Sequence, residues 1–266
     1  MSEYSILNIV AITWFCFAWL GYASFAKYKA KQGVNLSSVL NRQRRNWMEQ
    51  ILERETRITD AALVANLERN TSFLASTSIL ILAGLLTALG IADSIDSILQ
   101  SLPFYTVKEA SVFWVHVKLL CLILIYVYAF FALTWSMRQY GFASVMIGSA
   151  PTVTAANNHL ALKKKYIYTS AKVIDMAGHA YNYGLRAYYF SLSILPWFIS
   201  PWLFILSTTL VVLVLYLREF TSRPYKVLKE YVQFLESEAI TEVSIIKEPI
   251  TKTSVNMAAS EARNVE

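Results

Sequence analysis

Between Arg186 and Arg218 the chain runs for 31 residues, Ala187 to Leu217, without a single charge. A soluble fold has no place for such a stretch, yet its length also disagrees with one ordinary membrane crossing. At ~1.5 Å rise per residue a straight helix of that length would reach about 46 Å, against a hydrocarbon slab of about 30 Å. The middle of the stretch, residues 193 to 202, reads Ser-Ile-Leu-Pro-Trp-Phe-Ile-Ser-Pro-Trp. In an unbroken helix Trp197 and Trp202 would lie near the bilayer midplane, away from the interfaces that tryptophan favours. A reversal at Ser200-Pro201 carries both to the external surface, and Pro201 suits the first turn of a new helix. The reversal is the reading adopted here, with one long kinked helix as the alternative.

Composition agrees with a membrane chain. Hydrophobic residues make up 56% and charged residues 16% of the sequence, and mean hydropathy is +0.41. A soluble domain needs more charge on its surface. The formal net charge of +6 is read as basic cytoplasmic loops facing anionic lipid, not as a nucleic-acid surface. Cys16 and Cys121 both fall inside apolar segments and form neither a disulfide framework nor a metal-ligand pattern.

The crossings follow in order. The first is residues 4–25, closed by Lys27, Lys29 and Lys31, which places the N-terminus outside and the next loop in the cytoplasm. Within that loop a helical pattern over residues 41–69 gathers Trp47, Ile51, Ile58, Ala62 and Ala65 on one broad face, with Glu53 and Arg57 as an i,i+4 pair. This amphipathic helix is expected to pack on the protein's own cytoplasmic surface. Two functional readings stand beside that: a lipid-surface helix with Trp47 at headgroup depth and Arg42, Arg44 and Arg45 on phosphates, or a docking helix for a partner. The second crossing, residues 73–92, is rich in small residues, Ala75, Ser76, Ser78, Ala83, Gly84, Ala88 and Gly90. Small side chains permit close helix approach in lipid, so this helix is expected at the centre of the bundle. An acidic loop, 93–110, leads to the third crossing, residues 112–135. There His116 and Lys118 are read as a hydrogen-bonded histidine and a snorkelling lysine, or as the lining of an outward polar vestibule. Arg138 marks the cytoplasmic boundary.

Residues 141–180 return to the cytoplasm, with Lys163, Lys164, Lys165 and Lys172. His159 and His179 are too far apart for a helical metal pair, and no phosphate loop, dinucleotide fingerprint or nucleophile triad is present. No cofactor, metal or enzymatic activity is expected. Two further crossings, residues 180–199 and 201–217, complete an all-α polytopic membrane bundle of five crossings, or four in the kinked-helix alternative. The C-terminus is then cytoplasmic, with residues 224–266 forming a helix and a disordered tail. Arg186 lies nearly two turns inside an apolar segment below a collar of tyrosines, a costly position unless it pairs, snorkels or meets water. Arg138, Arg186, Arg218 and Glu219 together form the candidate anion or lipid-headgroup site.

Four segments also resemble a known family: Trp-Ser-Met-Arg-Gln-Tyr (135 to 140), Tyr-Asn-Tyr-Gly-Leu-Arg-Ala-Tyr-Tyr-Phe (181 to 190), Leu-Arg-Glu-Phe-Thr-Ser-Arg (217 to 223) and Phe-Leu-Ala-Ser-Thr-Ser-Ile-Leu-Ile-Leu-Ala-Gly (73 to 84). They are similar to the bacterial proteins grouped as domain of unknown function 599, over roughly Trp14 to Arg223. The resemblance implies a multi-pass inner-membrane protein and brings no activity, cofactor or catalytic residue. Two functions are carried forward. One is a structural or accessory subunit that assembles with itself or with a larger membrane complex. The other is a small anion channel or transporter with an arginine-lined cytoplasmic mouth. The expected partners are membrane lipids, anionic ones above all, and further protein chains, not nucleic acid.

Overall fold

The computed structural model describes residues 3–33, 35–101, 112–154, 159–235 and 237–238. Among these it is helical throughout, without strands. Lys108, Glu109 and the tail past 238 lie outside the described residues. The helices are α1 (Glu3–Lys31), α2 (Leu36–Glu53), α3 (Ile58–Gly90), α4 (Ala92–Ser101), α5 (Val112–Gly148), α6 (Leu160–Ile194) and α7 (Pro201–Tyr216), and residues 223–235 are again helical. Four stretches are long and apolar enough to cross a membrane: Glu3–Ala30, Ile58–Gly90, Val112–Gly148 and Pro201–Leu235. Many large apolar side chains on them, Phe17, Phe73, Leu80, Leu124, Phe131 and Leu206 among others, are exposed. That is the outward face of a chain surrounded by lipid.

The opening stretch does reverse. A 3-10 turn, Leu195–Phe198, ends α6, and Ser200 then caps α7 by accepting from the Trp202 amide, with Pro201 in the first turn. Side chains meet at increasing distance from this corner: Ser207 donates to the Ser193 carbonyl, Arg218 bonds Tyr189, and Arg186 pairs with Glu219. Such nested contacts define an antiparallel hairpin and rule out one long kinked helix. The tryptophan argument holds for only one of its two residues. Trp202 is exposed, but Trp197 is 1% exposed, stacked on Phe204 at 4.6 Å and donating to Asn8 at 2.6 Å. It anchors the hairpin to α1 instead of standing at an interface.

The remaining helices align around this hairpin. Asn8 meets Trp197, Phe15 packs on both Phe190 and Phe204, and Tyr22 reaches Glu219, so α1 runs parallel to α7 and antiparallel to α6. Along α5, Lys118 lies by Trp197, Tyr126 by Ser191 and Ser136 by Ala177, again antiparallel to α6. The outcome is a bundle with two distinct ends. The α6–α7 corner and α4 mark one end; α2, the 54–57 connection and residues 218–235 mark the other. Lys27, Arg44, Arg57, Lys163, Arg186 and Arg218 all lie toward the second end. Among the described residues Lys118 is the cation placed toward the first, and it does not snorkel. It is 1% exposed with its ammonium over the rings of Trp197 and Phe198. His116 shares a hydrogen bond with the Val112 carbonyl, as expected.

Four sequence readings are corrected by the packing. The single helix over 41–69 is two, because the chain extends at Arg54 and restarts at Ile58. Arg57 does not pair with Glu53; its guanidinium closes the break by donating to the carbonyls of Ile51, Ala150 and Pro151. Residues 93–101, read as loop, belong instead to helix α4, which Ala92 holds against Val115 and Leu119. Helix α3 is not central either. It packs along α5 through Val64, Ala75 and Ser78, leaving Ser76, Leu80, Ala83, Gly84, Thr87 and Gly90 exposed along the opposite side. A second core lies at the basic end, where α2 and the nearby halves of α3, α5 and α6 bury Met48, Ile51, Leu52, Val64, Ile147 and Ile174.

Candidate functional site

Gly33, in the left-handed region at φ 76°, turns the chain out of α1, and Asn35 begins α2 with a reciprocal capping box to Ser38. The Asn35 side chain thus has one end on the helix start. Its amide nitrogen donates to Glu219 Oε1 at 3.0 Å. Tyr22 of α1 donates its hydroxyl to Glu219 Oε2 at 2.9 Å, and Arg186 of α6 meets the same oxygen at 2.8 Å. The Arg186 guanidinium also lies over the rings of Tyr22 and Tyr183, at 5.3 and 5.9 Å. A five-residue π-helical turn, Leu217–Thr221, follows α7 and contains Glu219. Such turns shift the helical phase by one residue and recur at functional positions. Four elements therefore converge on one carboxylate, and both partners of the ion pair are 15% exposed.

That convergence forms the floor of a cleft of about 490 Å³ open at the basic end. Lys27, Gln139, Lys172, His179, Arg186 and Glu219 line it. Three full cations face one carboxylate. Gln139, one of the lining residues, is 3% exposed, and its Oε1 has no hydrogen-bond partner among the described residues. A smaller hollow of about 160 Å³ on the other side of the ion pair holds Arg218 with Leu36 and Tyr189.

Of the four residues proposed from sequence, the structure brings three together. Arg186 and Glu219 are a direct pair, and Arg218 stands beside them, hydrogen-bonded to Tyr189 and over its ring at 5.2 Å. Arg138 is not with them. It is exposed on α5, over Phe142 at 5.8 Å, in a hollow shared with Glu68. On α2 the side chains largely turn inward. Arg44 binds Asp175 at 2.6 Å, Arg45 lies over Tyr168, and Trp47 donates to the fully buried Asp60 at 2.7 Å. Arg42 remains exposed near Gly33. These contacts match the reading of a helix packed on the protein's own surface. Burial pushes the Asp175 carboxyl up, but hydrogen bonds from His179 and Asn41 and the charges of His179 and Arg44 outweigh it and hold the pKa at about 2.

Sequence reasoning missed Tyr22, Asn35 and Gln139. Asn35 had one usable signal, an asparagine three residues before a serine at a helix start. Tyr22 and Gln139 read as ordinary members of apolar and boundary segments.

Neither a curated protein nor a solved structure matches the chain. The family profile described as a protein of unknown function, DUF599, matches residues 10–224, and with most of its length inside that match the chain belongs to the DUF599 family.

Proposed function

We propose that this protein is an assembly subunit of the bacterial inner membrane, joined to a second copy of itself through the outer face of α3, with its N-terminus outside and its C-terminus in the cytoplasm. One observation carries the reading. Helix α3 buries only 11% of its most apolar window, while Ser76, Ala83, Thr87 and Gly90 stand exposed on one stripe around Leu80. Apolar exposure alone is ordinary for a helix in lipid. Small residues gathered on that exposure are what close helix packing in a bilayer uses, and an Ala83-to-Thr87 spacing is of the small-xxx-small kind. A two-fold axis along the membrane normal would bring the same stripe of both copies together and preserve one orientation for each. The α6–α7 hairpin supports five embedded segments, the fifth being the apolar half of α6.

The anion-channel reading has less behind it. Arg186 is matched by Glu219, Arg138 stands on another surface, and beyond the pair the core is closed by Phe15, Phe190, Trp197 and Phe204.

Cysteines placed one at a time at Ala83 and Thr87, in a background with Cys16 and Cys121 replaced, test the assembly directly. Oxidation in native membranes is expected to give a band at twice the chain mass, and Gly84→Leu is expected to weaken it. Monomer alone at both positions, with a monomeric mass in mild detergent, would overturn self-assembly. An adduct of any other mass would replace the second copy with a different chain.

A further inference from the structure

Helix α1 leans on the α6–α7 hairpin through Phe15 and reaches α5 by the edge contact of Trp19 with Tyr128, ring centres 5.9 Å apart. Between α1 and α5 a groove remains. Its deep part, about 480 Å³, is apolar and lined by Ile12, Cys16, Trp19, Ala23, Leu124 and Tyr128. A narrower passage of about 210 Å³ follows, sharing Trp19, Ala23 and Tyr128 with that part and adding Lys27, Tyr183 and Arg186. The last three also line the basic cleft. The three hollows adjoin through these shared residues, and their lining changes from mostly apolar to cationic along the protein's side.

Its dimensions suit a lipid in the leaflet at the basic end. Ile12 and Ala23 are 11 residues apart on α1, about 16 Å at ~1.5 Å per residue, close to the ~15 Å depth of one leaflet's hydrocarbon. Lys27 comes one turn later, at headgroup depth. Lys27 and Lys172 make no ion pair among the described residues. Gln139 lines the cleft, and its Oε1, without a partner among the described residues, adds an acceptor for a hydroxyl. A free anion would use the cations but leave the apolar channel without purpose, whereas a neutral or zwitterionic lipid would fill the channel and leave the excess cations unmatched.

We propose that the cleft and groove together hold one anionic phospholipid with a hydroxyl-bearing head group, its acyl chain between α1 and α5, its phosphate at Lys27 and Arg186, and its head group directed along the cleft toward Gln139 and Lys172. The site shares no residue with the α3 stripe and stands whether or not the protein self-assembles.

Native mass spectrometry of the detergent-purified protein, titrated with phosphatidylglycerol, phosphatidylcholine or glycerol phosphate, tests this. The expected result is one retained phosphatidylglycerol, with phosphatidylcholine much weaker and glycerol phosphate unable to displace the lipid at equal concentration. The double variant Lys27→Ala/Lys172→Ala removes two exposed cations that make no ion pair among the described residues, and should keep its fold. Its phosphatidylglycerol affinity is expected to fall roughly thirtyfold. Ala23→Trp should block the channel and abolish retention while leaving the melting temperature within a few degrees, and Gln139→Leu should narrow the preference over lipids without head-group hydroxyls. Equal retention of the two phospholipids, or unchanged affinity in both the lysine and the Ala23 variants, would overturn the proposal. Displacement by glycerol phosphate would also overturn it, in favour of a free organic phosphate. Should Ala23→Trp unfold, the lysine variant and the phosphatidylcholine comparison decide alone.

Discussion

Arg186 illustrates how much a single charged residue can announce and how little it tells about its partner. A guanidinium inside an apolar run must be paired, hydrated or drawn to an interface, and that requirement was legible from position alone. The partners were not, because Glu219 is 33 residues away in sequence, while Tyr22 and Asn35 are 197 and 184 residues from Glu219. Removing one half of a mostly buried pair strands the other. Glu219→Gln is therefore expected to cost about 3 kcal/mol, seen as a lower melting temperature in detergent, and Arg186→Leu/Glu219→Leu to cost less than Glu219→Gln alone. A double variant no better than the single one would mean that the pair contributes more than it costs to desolvate. Asp175 makes the pH prediction. Its folded pKa, about 2, lies below its ordinary value of 3.8, so its stabilisation is complete above about pH 4 and disappears as pH falls through about 2. Thermal unfolding between pH 5 and pH 3 should show wild type losing stability, whereas Asp175→Asn starts lower, with Arg44 unmatched, and shows a flatter dependence. Parallel slopes would remove Asp175 as the source.

At the scale of helices, the readings that succeeded had punctuation in the chain. Ser200-Pro201 supplied a cap and a first-turn proline, and the reversal appears where they stand. The failures had none. Between α2 and α3 no glycine or proline interrupts the pattern, and Ile51 and Ile58 keep a heptad spacing across the gap. The break is made by Arg54 and Arg57, which reach a buried carboxylate and three carbonyls that belong to tertiary structure. Small residues misplaced α3 for a related reason: close packing in lipid marks an interface, but sequence cannot say whether the neighbour is in the same chain. Three glycines turn this into a test. A Cβ on Gly184 would come within 2.5 Å of Leu133 Cγ, and one on Gly178 within 2.6 Å of the Arg44 guanidinium, while Gly84 has nothing within 4 Å. Gly184→Ala must push α5 from α6 and is expected to destabilise by about 1–3 kcal/mol. Gly178→Ala should act through the Arg44–Asp175 pair and lose its effect when Asp175→Asn is already present. Gly84→Ala should leave the melting temperature unchanged or raise it, since alanine is the better helix former. Equal costs at all three would mean that the α5–α6 contact is looser than the structure has it.

The molecule as a whole is longer than the membrane it occupies. Helix α5 has 37 residues, about 55 Å at ~1.5 Å per residue, so roughly 25 Å must extend beyond a hydrocarbon slab of about 30 Å. Hydropathy ended that crossing near Trp135 because polarity rises there. It could not show that the same helix continues to Gly148, since the second core that holds it depends on α2 and α6 packing alongside. The overhang falls at the basic end, where Arg44, Arg57, Lys163 and Arg186 gather, and positive charge is retained on the cytoplasmic side of membranes. The proposed sidedness therefore rests on the arrangement of the whole bundle rather than on any one loop. In a chain without Cys16 and Cys121, a cysteine at Ser97, exposed on α4, should react with an impermeant maleimide in intact cells. A cysteine at Ser222, beyond the α7 hairpin, should react only after permeabilisation. The opposite pattern would invert the bundle, and labelling of both in intact cells would place an odd number of crossings between Ser222 and the basic end that the hairpin contacts exclude. Since the lipid groove narrows toward Lys27 at this same end, the orientation also fixes which leaflet could supply its occupant, so the labelling result bears on the lipid site as directly as on the topology.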